Sequence, residues 1–387
     1  MDISKRYKVI FCTPAIYSAG GVERIVTFKA SYFAEHLGYD VTIIVTEGKG
    51  RECFFPLSEK VKVVNFELGF EDLWKAPFLR KVFLYLIKQH KYKKRLSAEL
   101  MRIRPDITIS MLRREINFLT SLKDGSKKVG ELHVNRANYR NFEANDSNVL
   151  KRLFAKFWMK SLVVQLKKLD QLVVLTEKSK VAWPELTNVS VIPDPIPLSL
   201  PISHGTNTKR VITIGRYAYQ KGYDLLLQAW AEVEKHYTDW ILEIYGMGDQ
   251  TSYRQMMMNL GIDTNRCLLN GPVDDVRQVY KDSSIFVLSS RFEGFGLVLV
   301  GAMACGLSVV SFDCPAGPDE IITDGYDGLL VPSGDIKVLA QKLMLLMTDE
   351  KLRTRLSQNA RQSSQRYEMN LIEGKWVDLF NKLMTKS

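Results

Sequence analysis

The sequence predicts an α/β protein built from two doubly wound parallel-sheet domains, and three observations carry that prediction. Short, nearly continuous apolar runs rich in β-formers alternate with longer helical patterns through both halves of the chain, the mark of strands covered on both faces. The alternation breaks once, at the Pro-rich passage VIPDPIPLSLPISHGTNTKR (191–210), and then restarts. The chain also has 387 residues, more than one hydrophobic core usually serves.

In the first half Tyr7–Thr13 (YKVIFCT) reads as a strand, Gly20-Gly21 as a tight loop, and Glu23–Leu37 as an amphipathic helix. Asp40–Thr46 (DVTIIVT) is the next strand, followed by Lys62–Phe66, Asp106–Met111, Lys128–Leu132 and Gln171–Thr176. Pro193, Pro195, Pro197 and Pro201 neither continue a helix nor suit a central strand, so the interdomain linker is placed there. Beyond it come a strand at Arg210–Ile214, a helix at Gly222–Tyr237, and a strand at Trp240–Tyr245 ending at Gly246 and Gly248. Cys267–Leu269, Ile285–Leu288, Ser308–Ser311 and Leu329–Val331 are the later strands. The last stretch, Tyr367–Met384, sets Trp376, Leu379, Phe380 and Leu383 on one helical face. The expected domains are 1–195 and 196–365, with a terminal helix at 366–387 packing back on the first. Two such domains facing each other would form a cleft at their strand C-termini, where sheets of this kind bind ligands.

Hydrophobic residues make up 46% and charged residues 25% of the chain, as in ordinary globular proteins. No window approaches the roughly 18 uncharged apolar residues of a membrane span. The opening MDISKRYKVIFCTPAIYSAGG has bases before an apolar run, but the run is short, contains Pro14 and leads into Gly20-Gly21; it reads as a buried strand and loop, not as a leader. The five cysteines are scattered without a CxxC pair, which points to reduced structural thiols in a cytosolic protein, with no metal site or disulfide framework.

The net charge of +11 is concentrated locally. KAPFLRKVFLYLIKQHKYKKR (75–95) holds eight Lys/Arg and no acid, and KRLFAKFWMKSLVVQLKK (151–168) holds six and no acid, so the remainder of the chain is net negative. Both segments interleave bases with Phe, Tyr, Trp and Leu at helical spacing. Either alone is explained by a surface helix with one face in the core; two in the same half favour peripheral contact with an anionic membrane surface. Nucleic acid is not expected, because no recognisable module for it is present.

Three constellations bear on chemistry. Gly20-Gly21 lies between a strand and a helix whose start carries Glu23 and Arg24; such a turn lets backbone amides approach a phosphate or sugar, though a plain strand-to-helix turn has the same signature. In ITIGRYAYQKGYDLLLQAW (212–230), Arg216 follows a strand and Lys221 lies in the next loop; cations at strand exits suit a diphosphate, while a solvated loop pair is the alternative. In EGFGLVLVGAMACG (293–306), Glu293 precedes a helix start whose free N–H groups at Gly294, Phe295 and Gly296 form a ready anion site. The carboxylate is either a helix cap or an acceptor for sugar hydroxyls.

Taken together, IGRYAYQKGYDLLLQAW, LEIYGMGDQ, LSSRFEGFGLVLVGAMACGLSVVSFDCPAGPDEIITDGYDGLLVP and, earlier, SAGGVERI and VLTEKSK…VIPDPI resemble glycosyltransferase family 4, whose members are retaining GT-B enzymes with two Rossmann-like domains. The resemblance spans nearly the whole chain in order. It is nearest to bacterial members that build envelope polysaccharides, capsule or O-antigen, on lipid carriers. It implies that Arg216 and Lys221 bind the donor diphosphate, that Glu293 meets donor-sugar hydroxyls, and that the backbone of Phe295, Gly296 and Leu297 cradles phosphate and sugar. It implies that Gly20 and Gly21 close over the phosphates, and that His133, in VGELHVNRANY, is the active-site histidine. The catalytic set is therefore expected to be Arg216, Lys221, Glu293 and His133.

The chain departs from the family at one position. The family pattern is a glutamate, seven residues and a second glutamate, but position 301 holds Gly301. The second glutamate normally grips the ribose, so its loss should remove a charge-assisted hydrogen bond and leave a hole, costing about ten- to a hundredfold in donor binding. No DxD stands in a convincing loop, and Asp274-Asp275 reads as a helix start, so the transfer is expected to need no metal or cofactor. The expected activity is a hexosyltransferase moving a hexose or N-acetylhexosamine from a UDP-sugar to a polyprenyl-diphosphate-linked saccharide, at the inner face of the cytoplasmic membrane. The competing readings are a silent GT-B fold serving as a binding partner, motivated by Gly301, and a transferase with a soluble acceptor.

Overall fold

The computed structural model describes residues 6–48, 50–75, 77–139, 149–196, 208–273 and 275–385. Pro197, Pro201 and Asp274 lie outside the described residues, as do the side chains at 151–157 in the second basic segment. The strands are β1 (Lys8–Thr13), β2 (Asp40–Val45), β3 (Lys62–Asn65), β4 (Ile107–Ser110), β5 (Lys127–Leu132), β6 (Gln171–Val174), β7 (Val189–Val191), β8 (Arg210–Ile214), β9 (Ile241–Tyr245), β10 (Cys267–Asn270), β11 (Ile285–Leu288), β12 (Ser308–Asp313) and β13 (Leu329–Pro332). The α-helices are α1 (Gly21–Glu35), α2 (Phe78–Ile103), α3 (Val149–Lys167), α4 (Glu177–Val181), α5 (Tyr223–Val233), α6 (Thr251–Leu260), α7 (Val276–Lys281), α8 (Leu297–Ala304), α9 (Pro318–Ile321), α10 (Ile336–Thr348), α11 (Glu350–Ser364) and α12 (Met369–Thr385).

The chain forms two compact units. Unit 1 comprises Met1–Leu175, Lys180–Ile192 and Lys375–Ser387, and unit 2 comprises Thr176–Ser179 and Pro193–Gly374. Every described strand pairing is parallel, in the order β3-β2-β1-β4-β5-β6-β7 in unit 1 and β10-β9-β8-β11-β12-β13 in unit 2. Both are doubly wound Rossmann-like sheets, as the alternation predicts. The short strand β7 escaped the sequence reading because three residues, VSV, beside a Pro-rich run carry no periodic signal; it is an edge strand, the place where neighbouring prolines are tolerated.

Burial follows the predicted pattern. The central strands β1, β4 and β11 are buried from end to end or nearly so, as strands covered on both faces must be; β1 and β11 are mostly apolar, and β4 buries Thr108 and Ser110 as well. Helix α5 buries Tyr223, Leu226, Leu227, Trp230 and Val233 on one stripe against the unit 2 sheet. Within unit 1, Trp376 and Phe380 of α12 pack edge-on and tilted around Phe33, and Tyr7 donates a 2.7 Å hydrogen bond to Asn381 Oδ1. The end of α12 is thus part of the unit 1 core, with Trp376 1% exposed.

Candidate active site

In unit 2 the winding reverses between β8 and β11, so the loops leaving these strands diverge from one gap at the carboxyl edge of the sheet, where open α/β sheets take ligands. Residues 215–222 leave β8 and residues 289–296 leave β11.

These two loops are stitched to each other. The Arg291 N–H donates to Gln220 O (2.8 Å), Gln220 Nε2 donates to Phe292 O (3.1 Å), and Ser289 Oγ donates to Lys221 O (2.9 Å). The Arg291 guanidinium donates to both oxygens of Asp224, at 2.8 and 2.6 Å, and lies 4.1 Å from the centroid of the Tyr219 ring. Those hydrogen bonds hold the Asp224 carboxyl below its ordinary range and raise Arg291. Gly222 has φ 62°, and a Cβ there would fall 2.1 Å from Ser289 O, so only glycine lets the loops approach this closely.

Lys221 and Glu293 meet at this seam. Lys221 Nζ donates to Glu293 Oε1 at 2.7 Å, and Ser290 Oγ donates to the same oxygen at 2.6 Å. The two charged side chains are 14% and 8% exposed. Both contacts fall on Oε1, which leaves Oε2 outside them. The lysine stem passes over Gly215, where a Cβ would lie 2.7 Å from Lys221 Cε, so the missing side chain at 215 opens the lysine's path to the carboxylate. Arg216, the next residue, has an exposed side chain and no ion pair among the described residues. Burial, with Glu293 next in effect, raises the neighbouring Cys314 thiol to about 12 and keeps it neutral.

Gly296 has φ 110° and ends the loop at the N-cap of α8, with Phe295 buried beside it and Leu297 opening the helix. Gly294, Phe295, Gly296 and Leu297 therefore lie next to Glu293 at a helix N-terminus, whose first-turn N–H groups favour an anion. Asp275 caps α7 by accepting from the Arg277 N–H at 3.0 Å.

Gly301 is buried on α8, and the expected hole above it does not exist. The ring of Tyr280, from α7, fills the space: a Cβ on residue 301 would sit 3.3 Å from Tyr280 Cε2 and Oη. Tyr280 is 2% exposed and donates to Val298 O at 2.9 Å, which ties the ring to the same helix. The reason for the correction is packing: an aromatic neighbour takes the volume that glycine vacates.

The winding of unit 1 reverses between β1 and β4. Gly20 is the extended N-cap of α1. The Glu23 carboxylate turns back over it, accepting from Ser18 Oγ at 2.9 Å, and a Cβ at 20 would fall 2.0 Å from Glu23 Oε2. Gly21 is exposed, with open space at its Cα. His133 lies just past β5, its Nε2 3.2 Å from Glu131 Oε1. Lys29 of α1 is ion-paired to the same oxygen, both side chains 1% exposed, and its ammonium lies 4.7 Å from the Trp376 ring centroid. Burial alone would raise the Glu131 carboxyl; Lys29 and then His133 outweigh it and hold it at about 2.

The structure thus joins Lys221 to Glu293 and sets Arg216 on the same loop. Sequence reasoning missed Ser290, the Arg291–Asp224 clasp and the Lys29–Glu131 pair. Glu131 had a readable signal, since it stands two residues before His133 at a strand end and so shares its side. Lys29 had none, because its partner is 102 residues away.

Residues 201–363 match the family described as Glycosyl transferases group 1. An uncharacterized glycosyltransferase of Haemophilus influenzae is 27% identical over 377 residues, covering 95% of this chain and 98% of that protein. A Campylobacter jejuni protein named GalNAc-alpha-(1->4)-GalNAc-alpha-(1->3)-diNAcBac-PP-undecaprenol alpha-1,4-N-acetyl-D-galactosaminyltransferase is 26% identical over 384 residues, covering 96% and 98%. Among solved structures, TarM superposes with a TM-score of 0.78 at 17% identity, covering 98% of this chain and 100% of that one; a second structure of TarM, from S. aureus, contains Fondaparinux, alpha-GlcNAc-glycerol and UDP. These structures share the fold.

Proposed function

We propose that this chain, which through residues 201–363 belongs to the glycosyl transferases of group 1, moves a hexose or N-acetylhexosamine from a UDP-sugar to a lipid-linked saccharide during envelope polysaccharide synthesis. The observation that carries the reading is the seam at the winding reversal of unit 2, where Lys221 is held on Glu293 beside Arg216. Two cations on one loop complement a diphosphate. Transfer leaves negative charge on the departing phosphate, and preorganised cations that meet that charge lower the barrier. The Glu293 carboxylate is an acceptor for sugar hydroxyls, and the α8 N-terminus adds amide donors.

With Lys221, Arg216 and the helix amides to neutralise the leaving group, the transfer needs no metal. With no carboxylate assigned as a covalent nucleophile, the departing phosphate accepts the acceptor's proton on the face it leaves, so configuration is retained. The UDP donor is supported by the UDP in a TarM structure, and the undecaprenol-linked acceptor by the name of the Campylobacter relative. Peripheral contact with the inner face of the cytoplasmic membrane accompanies such an acceptor.

UDP release from a panel of UDP-hexoses and UDP-N-acetylhexosamines, with EDTA present, tests the proposal. One sugar should release UDP, and Lys221→Met should slow that release. Binding and turnover of a different nucleotide-sugar would overturn the UDP donor. Tight binding of a UDP-sugar without turnover, with any acceptor, would favour the silent fold that Gly301 and the overlying Tyr280 keep in view.

A further inference from the structure

Helix α2 carries two apolar faces, and folding accounts for only one. Its inner face buries Tyr92, Leu96 and Leu100 completely in a core with Phe66, Phe70 and Phe118. A surface helix that has met its core on one side is expected to be polar on the other. Here the first half of the outer face is Val82, Phe83, Leu86 and Ile87, exposed by 43, 64, 61 and 50%. These positions fall at i, i+1, i+4 and i+5, one contiguous patch on the helix surface. One turn further on, the outer face becomes basic, with Lys91, Lys93 and Lys94 exposed, and Arg80 stands exposed at the opposite end.

The basic residues of α2 divide by use. Lys88 donates to the carbonyls of Leu68 and Gly69, Arg95 to that of Phe66, and Arg102 pairs with Glu99, so these serve the fold of unit 1. Among the described residues Arg80, Lys91, Lys93 and Lys94 have no acidic partner. No acid occurs from Phe78 to Ala98. An exposed apolar patch bordered by unpaired cations suits a surface that is itself apolar below and anionic above.

We infer that the outer face of α2 seats this protein on an anionic phospholipid surface, Phe83 and Leu86 entering the acyl boundary and Lys91, Lys93 and Lys94 lying on the head groups. Among the described residues of the two basic segments, α2 is the one that shows such a patch. Helix α3 turns Leu162 and Leu166 into the core, and among its described residues only Val164 is a large apolar side chain with substantial exposure. The seat also has a consequence for unit 1. Gln89 Nε2 of α2 donates to Arg114 O at 3.2 Å, in the loop leaving β4 at the winding reversal. A membrane-bound α2 therefore brings that loop to the lipid surface. Only this last consequence rests on the lipid-linked-acceptor reading.

The test is flotation of the full chain with phosphatidylcholine vesicles, with and without about one third phosphatidylglycerol, at low and high salt. The wild type should float with the anionic vesicles and be released by salt. Lys93→Gln/Lys94→Gln should lower partitioning about fivefold per cation removed, on anionic vesicles only. Phe83→Ser/Leu86→Ser should abolish flotation, while thermal unfolding stays unchanged because both positions are exposed. Flotation equal for the wild type and both variants would overturn the inference. So would a dimer in light scattering that Phe83→Ser/Leu86→Ser dissolves, since the patch would then be a contact between copies. UDP release without vesicles is read on the same samples and should match the wild type in both variants. Loss of flotation with turnover intact confirms the seat, and intact flotation without turnover defeats the transferase reading alone.

Discussion

Lys221 Nζ lies 2.7 Å from Glu293 Oε1 across 72 residues of chain, and the two side chains come from opposite sides of the winding reversal in unit 2. If the lysine stabilises a leaving diphosphate, Lys221→Met should lower kcat by about 10²- to 10³-fold, the loss typical of one preorganised donor. Glu293→Gln should act mainly on sugar binding, by about ten- to a hundredfold. UDP release at several donor concentrations separates the two effects. A Lys221→Met protein within twofold of wild type would remove the lysine from the chemistry.

The Arg291–Asp224 clasp joins the loop that carries Glu293 to the first turn of α5, which directly follows the loop that carries Lys221. Lysine at 291 cannot donate to both carboxylate oxygens in a fixed plane, so Arg291→Lys should behave as a loss. The expected result is a drop in kcat of about tenfold from a misplaced loop, since small displacements of positioned groups are costly. Restoration of wild-type kcat by lysine would show that charge alone suffices there.

The buried Lys29–Glu131 pair makes a statement about pH. The folded carboxyl, at about 2, lies below its unfolded value near 4.3, so its contribution to stability is complete above that unfolded value and is lost as pH falls toward about 2. Urea unfolding from pH 7 to 2 should show an acid limb in the wild type that is reduced in Glu131→Gln. Lys29→Met alone should cost about 3–5 kcal/mol, because it strands a buried carboxylate, and Lys29→Met/Glu131→Leu should recover most of that. If His133 depends on Glu131 for its orientation, the double variant will be stable yet slow. Full activity in that protein would make the pair purely structural.

Replacing Gly301 by glutamate is not a simple restoration of the family pattern. Its Cβ would meet the Tyr280 ring at 3.3 Å inside a filled region, so overpacking of about 1–3 kcal/mol is expected in thermal unfolding. Gly301→Glu/Tyr280→Ala opens the space and should bind UDP more tightly than Gly301→Glu alone, as titration calorimetry would show. Equal UDP affinity for all three proteins would place residue 301 away from the nucleotide.

The amino-acid sequence by itself determined the two doubly wound sheets, the positions of their long strands along the chain and the loops that carry Arg216, Lys221 and Glu293. These follow from local causes: apolar runs of strand length, helical spacing between them, and glycines or prolines at the breaks. It also determined that position 301, on the helix that follows Glu293, is a glycine. Only the tertiary structure decided that Tyr280 occupies that space, that Lys221 rests on Glu293, that Arg291 clasps Asp224, and that Lys29 reaches Glu131. It decided likewise that Val82, Phe83, Leu86 and Ile87 of α2 are left exposed while Leu162 and Leu166 of α3 enter the core. Each of these is a meeting of side chains from elements distant in sequence. Periodicity reports which face of an element is apolar, but not which partner, if any, the fold brings to that face.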